Sequence, residues 1–344
     1  MATDATLLVG TAATKDGGAG GVFRREPGGD WRQVFAAADV HAITPHPAAP
    51  DTVFLGSKDG PYVSTDRGAH WERLGFPDRG VQVWSVLVDP RDPNLVYAGG
   101  SPVAVYRSTD GGAHFSRLPD PGLPERVRME FPCRVMRFAA HPARAGEIYA
   151  TLEVNGAMHS VDGGETWRDC SADLVRLADQ PHLQSRILSD TDTEGMLDGH
   201  AIAMTPADPE AVYLAVRMGI FRSADQGRSW TDIEVGRFSP FTYGRDIRVA
   251  PTDPKVMYAA LSVAARSDAG ALWRSDDLGA SWRRFDKVTP HATVMGIALH
   301  RSDADQVAIV ARGGEVFATG DGGASWDAMP LPAAGRDAYA IACL

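Results

Sequence analysis

The sequence predicts an all-β chain folded as a seven-bladed β-propeller, and two observations carry that prediction. Six copies of the pattern Ser/Thr-x-Asp-x-Gly-x-x-Trp/Phe punctuate it, at Ser64–Trp71, Ser108–Phe115, Ser160–Trp167, Ser223–Trp230, Ser275–Trp282 and Thr319–Trp326. A worn seventh, Arg24–Trp31, keeps Glu26, Gly28 and Trp31. The closing aromatics stand 40, 44, 52, 63, 52 and 44 residues apart, a spacing typical of repeat architectures, and four strands per unit favours a propeller. The second observation is that the two ends are complementary. Residues 6–34 supply strands two to four of a unit, and Ala338–Cys343 reads as an inner strand with nothing after it. Pairing them closes the ring and removes exposed sheet edges, so residues 1–344 read as a single propeller domain.

Each unit is an inner strand, a Pro/Asp-rich turn, a second strand, a loop, a third strand entering the motif and an outer strand. In one unit these are Val83–Val88, Asp89–Pro93, Leu95–Ala98, Val105–Arg107 and Phe115–Leu118. The motif is therefore the hairpin between third and fourth strands. Its Asp can accept turn N–H groups, its Gly can take positive φ and its aromatic can fill the gap between sheets. Asp66, Asp110, Asp162, Asp225, one of Asp276 and Asp277, and Asp321 are thus structural. Two connections break the pattern, Pro119–Pro132 and Arg168–Gly199. The second is expected to form a helix over Ala172–Ala178, with Leu174, Val175, Leu177 and Ala178 on one side, and insert 168–199 to cap the axial pocket.

A net charge of −10 disfavours nucleic acid and anionic membranes as partners. No apolar run reaches the length of a membrane span, and Met1–Thr6 lacks the basic and apolar segments of a leader, so cytoplasmic residence is the expectation. Cys133, Cys170 and Cys343 are odd in number and lack metal-ligand spacing, which fits small buried residues in a reducing compartment.

Aligning the inner strands places Ile43, Val86, Phe138, Ile202, Ile247, Ile297 and Ile341 at one position, whose uniform apolarity signals packing between blades. Two residues upstream lie His41, Trp84, Met136, His200, Arg245, Met295 and Tyr339, a diverse set suited to lining a ligand site. The next position holds Ala42, Ser85, Arg137, Ala201, Asp246, Gly296 and Ala340. The second strands end at Thr11, Lys58, Ser101, Glu153, Arg217, Ser262 and Arg312. Lys58, Arg217 and Arg312, joined by Arg245 and by Arg134 or Arg137, would make a positive mouth, for which a small anionic molecule is the natural guest. Interblade ion pairs with Asp246, Glu153 or Asp198 are the structural alternative.

The SxDxGxxW turns resemble the Asp-box, or BNR, repeat of sialidases, sortilin-type receptors, xyloglucanases and photosystem II assembly factors, in all seven units. The resemblance implies a propeller but not one activity, because the repeat occurs in enzymes and non-enzymes. A sialidase would imply six blades and an arginine triad, and Phe131-Pro-Cys-Arg134 stands in the wrong unit for that motif. Xyloglucan-cleaving relatives use two propellers with a cleft between them.

Two functions follow. The first is a hydrolase- or lyase-like enzyme acting on a small anionic or sugar-derived molecule. Here Glu194, Asp198, Asp246 and His200 are the catalytic candidates, with Glu153 as a further acid or base. His41, Lys58, Trp84, Arg134, Arg137, Glu153, Arg217, Tyr243, Arg245, Arg312 and Tyr339 would bind the ligand. His41 and His200 come from units three apart and face one another across the axis. Satisfied histidines are the preferred reading, with no metal and no cofactor. The alternative function is a non-catalytic platform that binds a protein through Leu174, Leu177, Leu183 and Leu197 on the inserts. No Walker, Gly-x-Ser-x-Gly or His-Glu-x-x-His motif is present.

Overall fold

A computed structural model describes residues 3–344. Met1 and Ala2, part of the segment read for a leader, lie outside the described residues. The chain forms seven four-stranded antiparallel sheets, and blades are numbered here in chain order from the first inner strand. The inner strands are Val40–Pro45, Gln82–Val88, Val135–Ala140, Gly199–Thr205, Tyr243–Ala250, Val294–Leu299 and Asp337–Cys343. The seventh blade is composite: Asp337–Cys343 pairs with Leu7–Ala12, which continues into Gly21–Arg25 and Arg32–Phe35. Both chain ends are thereby tied into one sheet, as the complementary fragments predict.

The apolar core lies between blades. Leu8, Val22 and Phe35 of blade seven pack with Ile43, Leu55 and Tyr62 of blade one, and blades four and five share a comparable cluster. The aligned inner-strand position is buried all round the ring, from Ile247 at 1% exposure to Ile43 and Val86 at 7%. Each such side chain contributes roughly 1.5–3 kcal/mol by leaving water.

The repeated turns have one geometry. The Ser64 hydroxyl donates to Asp66 Oδ1 at 2.8 Å and accepts the Gly68 N–H at 2.8 Å. Asp66 Oδ1 accepts the N–H groups of Ala69 and His70 at 3.0 and 2.9 Å. Gly68 sits at φ 81°, and a Cβ there would lie 2.8 Å from the Leu8 methyls of the neighbouring blade, so both conformation and packing require glycine. In the fifth blade Asp277, not Asp276, takes the turn role, receiving the Ser275 hydroxyl at 2.8 Å.

The long insert forms helix Ala172–Leu177, a 3-10 turn Pro181–Leu183 and helix Glu194–Leu197. Leu174, Leu177, Ala178, Leu183, Met196 and Leu197 pack with Tyr149 and Ala157 of blade three and Val212, Leu214 and Phe221 of blade four. The insert thus covers the seam between these blades. No residue of 168–199 lines the axial cavity itself. The leucines read as a partner patch are corrected, since Leu174, Leu177, Leu183 and Leu197 are 0, 7, 1 and 0% exposed. The amphipathic side that suggested a docking surface is the side the insert uses to hold itself to the ring. Among the described residues no helix is long and apolar enough to cross a membrane.

Candidate functional site

Every inner strand carries a bulge at one position. Val40 pairs with Ser57 and Ala42 with Gly56, so His41 has no cross-strand partner. The same skip leaves out Trp84, Met136, His200, Arg245, Met295 and Tyr339. A bulge re-aims a side chain out of the regular alternation, and all seven of these residues line one cavity on the axis. They are the diverse ring that the alignment set apart, and the bulge is the physical reason for its diversity: freed from pairing, these side chains are not selected for sheet packing.

The cavity is small, about 30 Å³, room for one or two waters or the two oxygens of a carboxylate. Small-molecule pockets are roughly ten times larger. On one side Trp84 stacks on His41, with ring centroids 3.8 Å apart and planes 6° from parallel, while the Arg134 guanidinium lies 4.0 Å from the Trp84 centroid. Burial, together with Arg134, pushes the His41 imidazole down to about 4, so it is neutral at pH 7. His200 donates Nδ1–H to the Gly244 carbonyl at 2.8 Å, and its Nε2 stands 3.1 Å from the Tyr243 hydroxyl and 3.4 Å from Asp198 Oδ2. Both histidines line the cavity, each engaged separately. No group of three His, Cys, Asp or Glu among the described residues could hold a metal.

Most of the predicted cations are neutralised locally. Arg217 meets Asp198 at 2.6 Å, Arg312 meets Asp337 at 2.8 Å and Arg134 pairs closely with Glu153. Lys58, largely exposed, stands 3.7 Å from Asp39. Arg137 and Arg248 share Asp246 at 3.6 and 3.0 Å. Arg245 is different: it lines the cavity, half-buried, with no hydrogen bond or ion pair to any described residue. Arg137, Arg245 and Arg248 thus line one space; Asp246 pairs with Arg137 and Arg248, and Arg245 acts on the Glu153 carboxyl only at longer range. Sequence reasoning missed Arg248 and Asp337. The signal for Arg248 was its place three residues after Arg245 on the same bulged strand.

The catalytic candidates are mostly committed elsewhere. Glu194 Oε2 accepts the N–H groups of Ile187, Leu188 and Ser189 at 3.0, 3.0 and 2.9 Å and the Ser189 hydroxyl at 2.8 Å. Burial works against its charge, but these bonds outweigh it and hold the carboxyl below its ordinary range. It organises a turn of the insert and does not line the cavity. Asp246, 0% exposed, accepts the N–H of Ile247 at 3.1 Å and of Ile297 at 3.0 Å, clasping blade five to blade six. Asp198 is buried, yet His200 and Arg217 keep it ionised. Glu153 alone is poised: burial, reinforced by Asp198, pushes it up to about 7 against the pull of Arg134, Arg245 and Arg217.

No protein-family model matches the chain. It is 26% identical to a xyloglucanase of a Paenibacillus species over 221 residues, 53% of this chain and 20% of that protein. It is 24% identical to xyloglucanase Xgh74A of Acetivibrio thermocellus over 53% of this chain and 24% of the other. The match thus spans about a fifth to a quarter of these curated relatives. Among solved structures, the GH74 xyloglucanase of Xanthomonas campestris superposes with a TM-score of 0.63 at 17% identity, covering 85% of this chain and 45% of that one. YCF48 from Cyanidioschyzon merolae gives 0.59 at 16% identity, covering 90% of each chain. A YCF48 bound to D1 peptide gives 0.53 at 15% identity, covering 85% of this chain and 82% of that one. At these identities the likeness is one of fold, a propeller shared by enzymes and by YCF48.

Proposed function

We propose that this propeller is a non-catalytic platform whose axial mouth recognises a carboxylate, presented by the acidic end of a partner peptide. The carrying observation is Arg245, the cavity-lining cation with no partner among the described residues, set beside Arg137 and Arg248 in a space of about 30 Å³. A guanidinium freed from local pairing offers two parallel donors to a carboxylate, and the cavity has room for such a group but not for a sugar ring. The near-complete mutual coverage with YCF48, one of which is bound to D1 peptide, supports this reading over the xyloglucanases, which match over less than half their length.

The test is fluorescence polarisation with labelled decapeptides ending in a free Asp or Glu carboxylate, against C-terminally amidated Asn and Gln counterparts. The acidic peptides should bind, and Arg245→Ala should weaken them about tenfold, or about 1.4 kcal/mol. Equal affinity for both peptide sets, or for both proteins, would overturn the proposal.

One observation favours a hydrolase instead: Glu153 is raised to about 7 in part by Asp198, which stays ionised, and carboxylates driven apart in this way are what glycoside hydrolysis uses. Release of reducing ends from xyloglucan oligosaccharides, lost in Glu153→Gln, would establish that reading. The platform predicts no release.

A further inference from the structure

A groove of about 470 Å³ lies beneath the Pro119–Pro132 connection. Apolar side chains of Val103, Leu123, Val127, Met129, Phe131 and Val154 stand along its walls between polar groups. Its charged lining is of one sign. Asp120, Glu125 and Glu130 are exposed along it, and no Lys or Arg lines it. Of the arginines in the same connection, Arg126 is held by Asp169 through two contacts of 3.1 and 2.6 Å, and Arg128 is exposed but not part of the lining.

The other wall is the Leu152–Gly156 hairpin of blade three. Here Asn155 Oδ1 is buried and has no hydrogen-bond partner among the described residues, a state that costs free energy until a donor arrives. Beside it Val154, buried, is held at φ 55°, a conformation β-branched residues rarely adopt and one found where surrounding structure imposes it at working sites.

We propose that this groove docks a protein segment carrying one Lys or Arg among apolar side chains. The apolar side chains of the walls take the flanking residues, the three carboxylates attract the cation and the Asn155 carbonyl oxygen accepts an N–H. Charge complementarity selects this occupant over an acidic or neutral one. The groove adjoins the mouth, since the Cys133 thiol donates to the Glu153 carbonyl at 2.8 Å and the Phe131 ring lies 5.0 Å from the Arg134 guanidinium. The proposal nevertheless stands independently of carboxylate recognition at the axis.

The probes are labelled dodecapeptides with one Lys flanked by Leu and Phe, and matched peptides carrying Glu or Leu in place of that Lys. They are titrated by polarisation against the full chain, the double variant Glu125→Lys/Glu130→Lys and Arg245→Ala. The Lys peptide should bind at least about tenfold tighter than the Glu peptide. The double variant, whose substituted positions are exposed, should abolish that preference while melting at the wild-type temperature. Arg245→Ala should leave Lys-peptide binding unchanged while weakening acidic peptides, so the two proposals fail separately. Absent binding, equal affinity for all three peptides, or a concentration-dependent dimer that the double variant dissolves would each overturn the proposal; the dimer would assign the groove to a second copy of the chain.

Discussion

The two faces of this ring repeat the same backbone seven times and use the repetition in opposite ways. On the motif face, six turns carry the same Ser/Thr, Asp, Gly and aromatic, and each side chain closes its own hairpin or fills the gap to the next blade. On the mouth face, seven bulges at one register release seven side chains of five kinds toward the axis. Identity at equivalent positions marks a structural demand. Diversity at equivalent positions marks one that has been lifted, leaving the side chain open to a ligand.

The sharpest way to break this contrast is to substitute one residue on each face. Gly68→Val places a β-branched side chain at φ 81° and against Leu8, and should cost about 2–4 kcal/mol, lowering Tm by about 3–6 °C in a thermal melt. Arg245→Ala should leave Tm within about 1 °C while reducing acidic-peptide affinity about tenfold. If the turn variant melts normally, or the mouth variant melts early, the division between faces is wrong.

The faces should also respond to pH in opposite senses. Glu153 at the mouth has its folded value raised from 4.5 to about 7. The folded chain therefore keeps a proton that the unfolded chain releases, a contribution complete below about pH 4.5 and lost as pH rises through about 7. Glu153→Gln keeps the neutral form, so wild type should lose stability relative to it between these values, measured by denaturant unfolding at each pH. A difference that stays flat would contradict the burial assigned to Glu153.

A smaller effect of opposite sign is expected on the motif face. Burial raises the Asp162 carboxyl, but the Thr166 hydroxyl, the Thr166 N–H and Ser160 lower it from 3.8 to about 2. Its contribution is present above about pH 3.8 and lost as pH falls through about 2. The stability gap between wild type and Asp162→Asn should therefore shrink over that window, and a constant gap would contradict the turn bonds.

Sequence reasoning reached the propeller, the closure and the ring because each leaves a periodic mark: motif spacing, complementary ends and one aligned column. What it missed was partner choice among charges. Arg217, Arg312 and Arg134 read as a positive mouth, with pairing to Asp246, Glu153 or Asp198 as the alternative; Arg217 does pair with Asp198 and Arg134 with Glu153, while Asp337, which meets Arg312, stands at a position that no period marks. Glu194 looked like a poised acid because its loop is long, yet the loop folds back to donate three N–H groups to it. The insert's leucines showed an amphipathic helix, but helical periodicity does not say which surface the apolar side meets.

The most direct test of the mouth is a crystal structure of the chain with a bound acidic decapeptide. The account predicts the terminal carboxylate within about 3 Å of the Arg245 guanidinium, inside the circle of His41, Trp84, Met136, His200, Met295 and Tyr339. A peptide seated elsewhere, with Arg245 turned away from it, would contradict the account.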